Sequence, residues 1–367
     1  MSAKKRFSHV DLIESIAIFF VVFYHCTLYP SDVASADAPP LHYVLYFCRT
    51  IFSTCVPLFF FVNGYLLFNR SFNLQKHIKK ILRLVLLVFV WGFLLMPIFM
   101  LIAGEPLNLE TIFKGPLTLN INWSMTFFWY LGALVGLYIL FPALKALYDK
   151  SEKGFVFFIV AVAICTFGFV LGNQVMSILS KATNQELGDL NYPGLTMFNP
   201  FYGEPGRSAG YSFVYFCVGG LIYKYEDKIL AFSKAKRNLI GAAGILLSCT
   251  GQFFLGLFFT KNILVTETWD VVFSGYDTIF TFCNVICIYV LSLSYTKDFR
   301  VVKSISANTL GIYFLHMIPI RLTMPWILQQ EALCNFPFNI LYAFLVIAVC
   351  VPVSMLLKKI PVLRNLV

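Results

Sequence analysis

The sequence predicts an all-α polytopic membrane protein of about ten transmembrane helices with both termini in the cytoplasm. Three observations lead there. Hydrophobic residues fill 59% of the 367 positions and charged residues only 13%, about half the charge of a soluble domain, and the mean hydropathy is +0.77. Apolar runs near the ~20 residues that cross a bilayer recur around residues 19, 60, 93, 133, 163, 216, 248, 283, 318 and 347, each set off by a polar or Pro/Gly-rich break. Basic residues, finally, fall in alternate breaks.

With the N-terminus placed inside, the stretches 4–6, 70–83, 145–153, 224–237, 297–303 and 358–364 hold 22 of the 28 Lys and Arg. Arg49, Lys114, Lys181, Arg207, Lys261 and Arg321 fall on the other side. This bias toward the cytoplasmic loops sets the orientation. It also accounts for the net charge of +10 through loops that meet anionic lipid, so no nucleic-acid partner is expected. With about ten residues after position 357, a single membrane domain over 1–367 is expected, with no appended soluble domain, in the cell membrane.

The first run, DLIESIAIFFVVFYH over 11–25, puts Asp11, Glu14 and His25 in otherwise apolar helix. At about 100° per residue Glu14 and His25 lie within roughly 20° of each other, with Asp11 about 40° to the other side. Ionisable groups are costly in a membrane helix and face a cavity or a partner helix, so the stripe reads as a polar pathway. A lone histidine there ordinarily bonds a neighbouring helix. The aligned acids weigh instead toward proton transfer at His25, about 16 Å along the helix from Glu14. Glu14 and Asp11 have a second reading as carboxylates at the positive end of the helix dipole, the stronger one for Asp11. The run starts too late and is too long for a cleaved signal, so it reads as a retained helix.

The second run contains FFFVNGYLLF (59–68), where the Asn63 amide must find partners, and its start is blurred by Arg49. The fourth contains FFWYLGALVGLYILFPAL (127–144). The stretch Gly172 to Ala209 carries Asn191-Tyr-Pro-Gly, Asn199-Pro and Gly203-Glu-Pro-Gly206, which predict a compact loop rather than a helix. Its Glu186, Asp189, Tyr192, Phe198, Tyr202 and Arg207 suit stacking on sugars, and a passive connector is the other reading. On the eighth run Asp277 and Asn284, seven apart, fall within about 20° of one another and could line one cavity. The ninth holds TLGIYFLH (309–316), with His316 in mid-span.

The ten cysteines include Cys165, Cys217, Cys249, Cys283, Cys287 and Cys350 inside apolar runs, where cysteine acts as a small hydrophobe. There is no C-x-x-C pair, and the five histidines are scattered, so neither a metal nor a redox centre is expected.

Four of these stretches together resemble the acyltransferase-3 family of membrane O-acyltransferases. The opening helix of that family carries Asp, Arg three residues later and His eleven further on, matched here by Asp11, Glu14 and His25. Its FF-x-x-SGYLL is matched by FFFVNGYLLF, with Asn63 at the serine, and its WFL…LY-x-x-P span by residues 127–144. Its late S-x-GIYLLH is matched by TLGIYFLH. The resemblance covers essentially the whole chain.

It implies transfer of an acyl group, usually acetyl, from cytoplasmic acetyl-CoA to a hydroxyl of an extracytoplasmic or lipid-linked carbohydrate. Acyl-CoA is then a co-substrate, with no tightly bound cofactor. His25 becomes the general base or the transient acyl acceptor, either of which needs neutral imidazole. Arg70, Lys76, Lys79, Lys80 and Arg83 could attract the phosphates of coenzyme A. Candidate catalytic residues are His25 and Glu14. Candidate substrate-binding residues are Asp11, Asn63, Tyr65, Trp129, Tyr130, Arg207, Asp277 and His316. Glu14 reverses the charge of the family's Arg. That leaves three readings: a different donor geometry, an acid/base role beside His25, or a scaffold kept for export of a polysaccharide or lipid-linked glycan. A sensor or assembly subunit is a further alternative, and would tolerate loss of His25.

Overall fold

The computed structural model describes residues 6–26, 33, 37–118, 126–183, 210–264, 275–361 and 363–365. Among them the regular elements are all helical, as an apolar backbone that must satisfy its own hydrogen bonds requires. In chain order they are α1 (Ser8–Cys26), α2 (Pro40–Arg49), α3 (Cys55–Phe68), α4 (Leu74–Ile102) and α5 (Leu109–Thr118). Then follow α6 (Trp129–Lys150), α7 (Glu152–Ala163), α8 (Phe169–Thr183), α9 (Gly210–Leu230) and α10 (Lys234–Phe259). The last are α11 (Ile279–Ser292), α12 (Arg300–Ala307), α13 (Thr309–Leu315), α14 (Met317–Ile327) and α15 (Phe336–Lys359).

Seven spans among the described residues are long and apolar enough to cross a membrane: α1, Pro40–Phe68, α4, α6, Glu152–Thr183, Lys234–Asn262 and α15. The bent pair α13–α14 makes an eighth if it is taken as one span. This is a multi-pass membrane protein. Each run centre read from the sequence falls on a helix, but two do not reach span quality. Helix α9 carries Lys224, Glu226, Asp227 and Lys228 in its last turns, and α11 has only 14 residues.

One compact unit is formed by Met1–Val21, Tyr29–Asn69 and Ser151–Ser306. Here α3 and α9 touch backbone to backbone. A Cβ added at Gly64 would lie 1.7 Å from the Phe216 carbonyl oxygen, and one at Gly219 would lie 2.0 Å from that of Phe61. Close approach through small residues is how helices associate where lipid removes the hydrophobic drive. It explains the glycine inside FFFVNGYLLF. Buried polar bonds add to the packing: Ser53 Oγ lies 2.8 Å from Thr281 Oγ1, and Gln252 Nε2 donates to Ser53 Oγ at 3.4 Å.

Val22–Leu28, Arg70–Lys150 and Ala307–Val367 form the second unit. Trp91 of α4 stacks on Phe314 of α13 at 4.8 Å and 8°, and the Arg321 guanidinium lies 4.2 Å over the Phe99 ring. Helices α13 and α14 meet at a 44° bend. Pro319 has no N–H to offer the Leu315 carbonyl four residues back, the usual cause of such a break.

Three sequence expectations are corrected here. Gly172–Thr183 is the body of α8 rather than loop, because the turn-forming residues begin only after Thr183; residues 184–209 lie outside the described residues. Asp277 is not on the eighth run's helix. It sits in the turn opened by Gly275 (φ 70°), ahead of Thr278, whose side chain caps α11, so the 100° spacing to Asn284 does not apply. Arg49, expected on an outer break, is 2% exposed within the Pro40–Phe68 span.

Candidate functional site

In the first unit the opening turns of α1 build an acid pair. Arg6 Nε donates to Asp11 Oδ2 at 2.6 Å, and a second Arg6 nitrogen donates to the Lys303 carbonyl at 3.0 Å. Ser306, near the end of α12, offers its hydroxyl to Asp11 Oδ1 and to Glu14 Oε2, both at 2.7 Å, so one proton serves two carboxyl groups. Ser15 ties the same helices together, donating to the Asp11 carbonyl at 2.8 Å and to that of Val302 at 3.1 Å. Asp11 is buried. The hydrogen bond from Arg6 raises that guanidinium above its ordinary range. Nearby, Lys303 Nζ (2.5 Å) and the Ser8 hydroxyl (2.9 Å) bond Asp298 and hold its carboxyl below the usual carboxylate range.

A second cluster in this unit joins α1, α3, α9 and α11. Glu226 Oε2 accepts from Tyr65 at 2.5 Å and from Tyr289 at 2.7 Å. His9 Nε2 lies 3.2 Å from the Tyr65 hydroxyl and 3.8 Å from the same carboxylate oxygen. Tyr65 thus binds protein. Asn63 turns its amide onto its own helix, donating to the Phe59 carbonyl at 2.9 Å. Asp277 is buried in its turn, and Asn284 Nδ2 lies 3.6 Å from Cys249 Sγ.

The second unit brings two sequence-selected histidines together. His25 Nδ1 lies 3.2 Å from His316 Nε2. His316 is fully buried at the bend between α13 and α14, its Nδ1 2.7 Å from the Tyr313 carbonyl and 3.2 Å from that of Ile312. The Phe127 ring meets both imidazoles at centroid distances of 6.4 and 5.6 Å, and the Tyr313 hydroxyl donates to the Phe127 carbonyl. Asn339 Nδ2, buried on α15, donates to the Phe23 carbonyl at 3.3 Å, two residues before His25. Tyr130 packs edge-on against Tyr313 at 5.9 Å, while Trp129 is exposed at the start of α6. Arg207 lies outside the described residues.

The stripe read on α1 therefore resolves into separate settings: Asp11 and Glu14 converge on Ser306, and His25 on His316. A half-buried imidazole held by a second, fully buried one is suited to accept and return a proton. Over residues 7–359 the sequence matches the profile of the acyltransferase domain family, acyltransferase-3. The chain belongs to the acyltransferase-3 family. It matches no curated protein and no solved structure. Membership implies an acyl-transferring membrane enzyme, and the acyltransferase-3 match spans both compact units.

Sequence reasoning missed Ser306, His9, Glu226 and Tyr289. Glu226 sits among Lys224, Asp227 and Lys228 and looks like part of a solvated face. Ser306 lies in an ordinary polar connection. Nothing in either local pattern announces the partner.

Proposed function

We propose that this protein is a cell-membrane O-acyltransferase that moves an acyl group, acetyl in the first instance, from cytoplasmic acyl-CoA to a hydroxyl of an extracytoplasmic or lipid-linked carbohydrate. The observation that carries this reading is the His25–His316 pair in a chain of the acyltransferase-3 family. His25 takes the proton from the acceptor hydroxyl as its oxygen attacks the thioester carbonyl. The tetrahedral intermediate collapses with loss of coenzyme A thiolate, and the proton held on His25 passes to that sulfur. The acceptor oxygen gains the bond to the acyl carbon, that carbon loses its bond to sulfur, coenzyme A leaves as the thiol, and the imidazole returns neutral.

The reading includes ten spans with both termini cytoplasmic, which puts Arg70, Lys76, Lys79, Lys80 and Arg83 on the side of the acyl-CoA, with charge suited to its phosphates. Glu14, at the position where the family resemblance expects Arg, brings no positive charge to the donor. Its place beside Asp11 and the Ser306 hydroxyl suits proton holding rather than phosphate binding.

The test is transfer of label from radiolabelled acetyl-CoA in membranes carrying the protein, against the His25→Ala variant shown to insert equally. Label in a glycan or lipid-linked fraction with the wild type alone supports the assignment. Equal label in both variants removes His25 from the chemistry. No label in either, with surface glycans supplied, favours glycan export on the same scaffold.

A further inference from the structure

We propose that His316 is a positioning residue that holds His25 in the Nδ1–H tautomer, so that the basic lone pair of His25 resides on Nε2. The role given to His25 rests on the acyltransferase reading above, whereas the tautomer follows from donor and acceptor chemistry alone.

His316 Nδ1 faces two carbonyl oxygens, those of Tyr313 at 2.7 Å and Ile312 at 3.2 Å. Carbonyl oxygens only accept, and a nitrogen lone pair at 2.7 Å from one would be repelled, so Nδ1 carries the proton. The ring is fully buried, and among the described residues its polar contacts are those two carbonyls and His25. No carboxylate among the described residues bonds it, so nothing balances an imidazolium there. A neutral ring protonated at Nδ1 has its lone pair on Nε2. That atom lies 3.2 Å from His25 Nδ1, which must therefore donate. A neutral His25 that donates from Nδ1 is basic at Nε2, because the hydrogen bond made by one ring nitrogen sets the state of the other.

This form is the one that imidazole side chains favour less in water. It is selected here by the backbone at the last turn of α13, where the Ile312 and Tyr313 carbonyls face His316 Nδ1 just ahead of the 44° bend. Phe127, anchored by the Tyr313 hydroxyl, packs on both imidazoles and restricts their rotation. When His25 takes a proton on Nε2, its Nδ1–H still has the His316 lone pair to meet, so the imidazolium is accommodated without a buried anion. His316 thus acts through His25, in place of the substrate contact expected for it from sequence.

The test is a ¹⁵N–¹H correlation spectrum of histidine-labelled protein in lipid nanodiscs, with the His25 signals assigned by their loss in His25→Ala. The wild type is expected to show His25 protonated at Nδ1, with a pyridine-like Nε2. In His316→Ala the assignment should reverse, and in His316→Gln, whose side-chain oxygen reaches the position of Nε2, it should return. Acyl transfer should fall about 10²-fold in kcat for His316→Ala, with KM for acyl-CoA unchanged and partial recovery in His316→Gln. A wild-type His25 protonated at Nε2, or an unchanged tautomer in inserted His316→Ala, overturns the proposal. If the Ala variant does not insert, the wild-type and Gln spectra decide it. The expected tautomers without any acyl transfer would retire the acyltransferase reading and leave the pairing standing.

Discussion

The acid pair of the first unit and the imidazole pair of the second both use α1, and they are secured in opposite ways. Asp11 and Glu14 can carry charge, and the fold brings them a guanidinium from Arg6 and a hydroxyl from Ser306. His25 and His316 hold one another through ring nitrogens, with backbone carbonyls behind His316. A carboxylate away from water is costly unless it is paired and hydrogen-bonded, so the surroundings of Asp11 and Glu14 are compensation first. A neutral imidazole carries a smaller penalty, and its partner is available to fix orientation. On the function proposed above, the acid pair serves stability and proton holding, and the imidazole pair serves the chemistry.

That contrast breaks most visibly at His25. His25→Ala should lower acyl transfer by about 10²–10⁴-fold, the range of a positioned general base, with insertion unchanged and a cost in thermal unfolding of about 1 kcal/mol from the buried His316 nitrogen left without its partner; a fall in stability with no fall in transfer would place His25 with the acid pair. Next comes Ser306→Ala, which strips both carboxyl groups of their shared donor. It should cost about 2 kcal/mol in thermal unfolding in detergent, with transfer per folded molecule little changed. Adding Glu14→Gln to Ser306→Ala should recover part of that loss, since one of two crowded carboxyl groups is gone. Strictly additive losses would show that the hydroxyl is not shared.

Tyr65→Phe is expected to cost about 1 kcal/mol, because the Tyr289 hydroxyl still donates to Glu226; a fall in transfer without a fall in stability would return Tyr65 to the substrate. The smallest effect belongs to Asp298→Asn. Its carboxyl is exposed and held below the ordinary range by Lys303 and Ser8, so neutral-pH unfolding should barely move. What Asp298 contributes is present above its unfolded pKa and lost as pH falls through the lowered folded value. The variant and wild-type unfolding curves should therefore converge in acid, and a gap widening there would reverse the sign.

Particular residues show where local reading works. The stripe of Asp11, Glu14 and His25 was visible because a continuous helix keeps its 100° geometry, and Ser8–Cys26 is one helix. The same rule misled at Asp277, which sits in the turn at Gly275, two residues ahead of the first helical residue, Ile279, behind the cap at Thr278. The glycine in FFFVNGYLLF was legible as a motif and not as a contact, since its meaning depends on the Phe216 carbonyl 152 positions away in α9. Arg49 looked like a loop charge because nothing local says that Pro40–Phe68 is one span.

The amino-acid sequence by itself determined the helical, multi-pass membrane character, the family and the choice of both His25 and His316, because apolar run length, backbone self-satisfaction in lipid and motif order are local properties. Only the tertiary structure decided what those side chains meet. Ser306 reaches Glu14 across 292 positions, His316 reaches His25 across 291, and Glu226 reaches Tyr65 across 161. A helix face restricts where a side chain can point, and the partner that sets its protonation and orientation arrives from another helix.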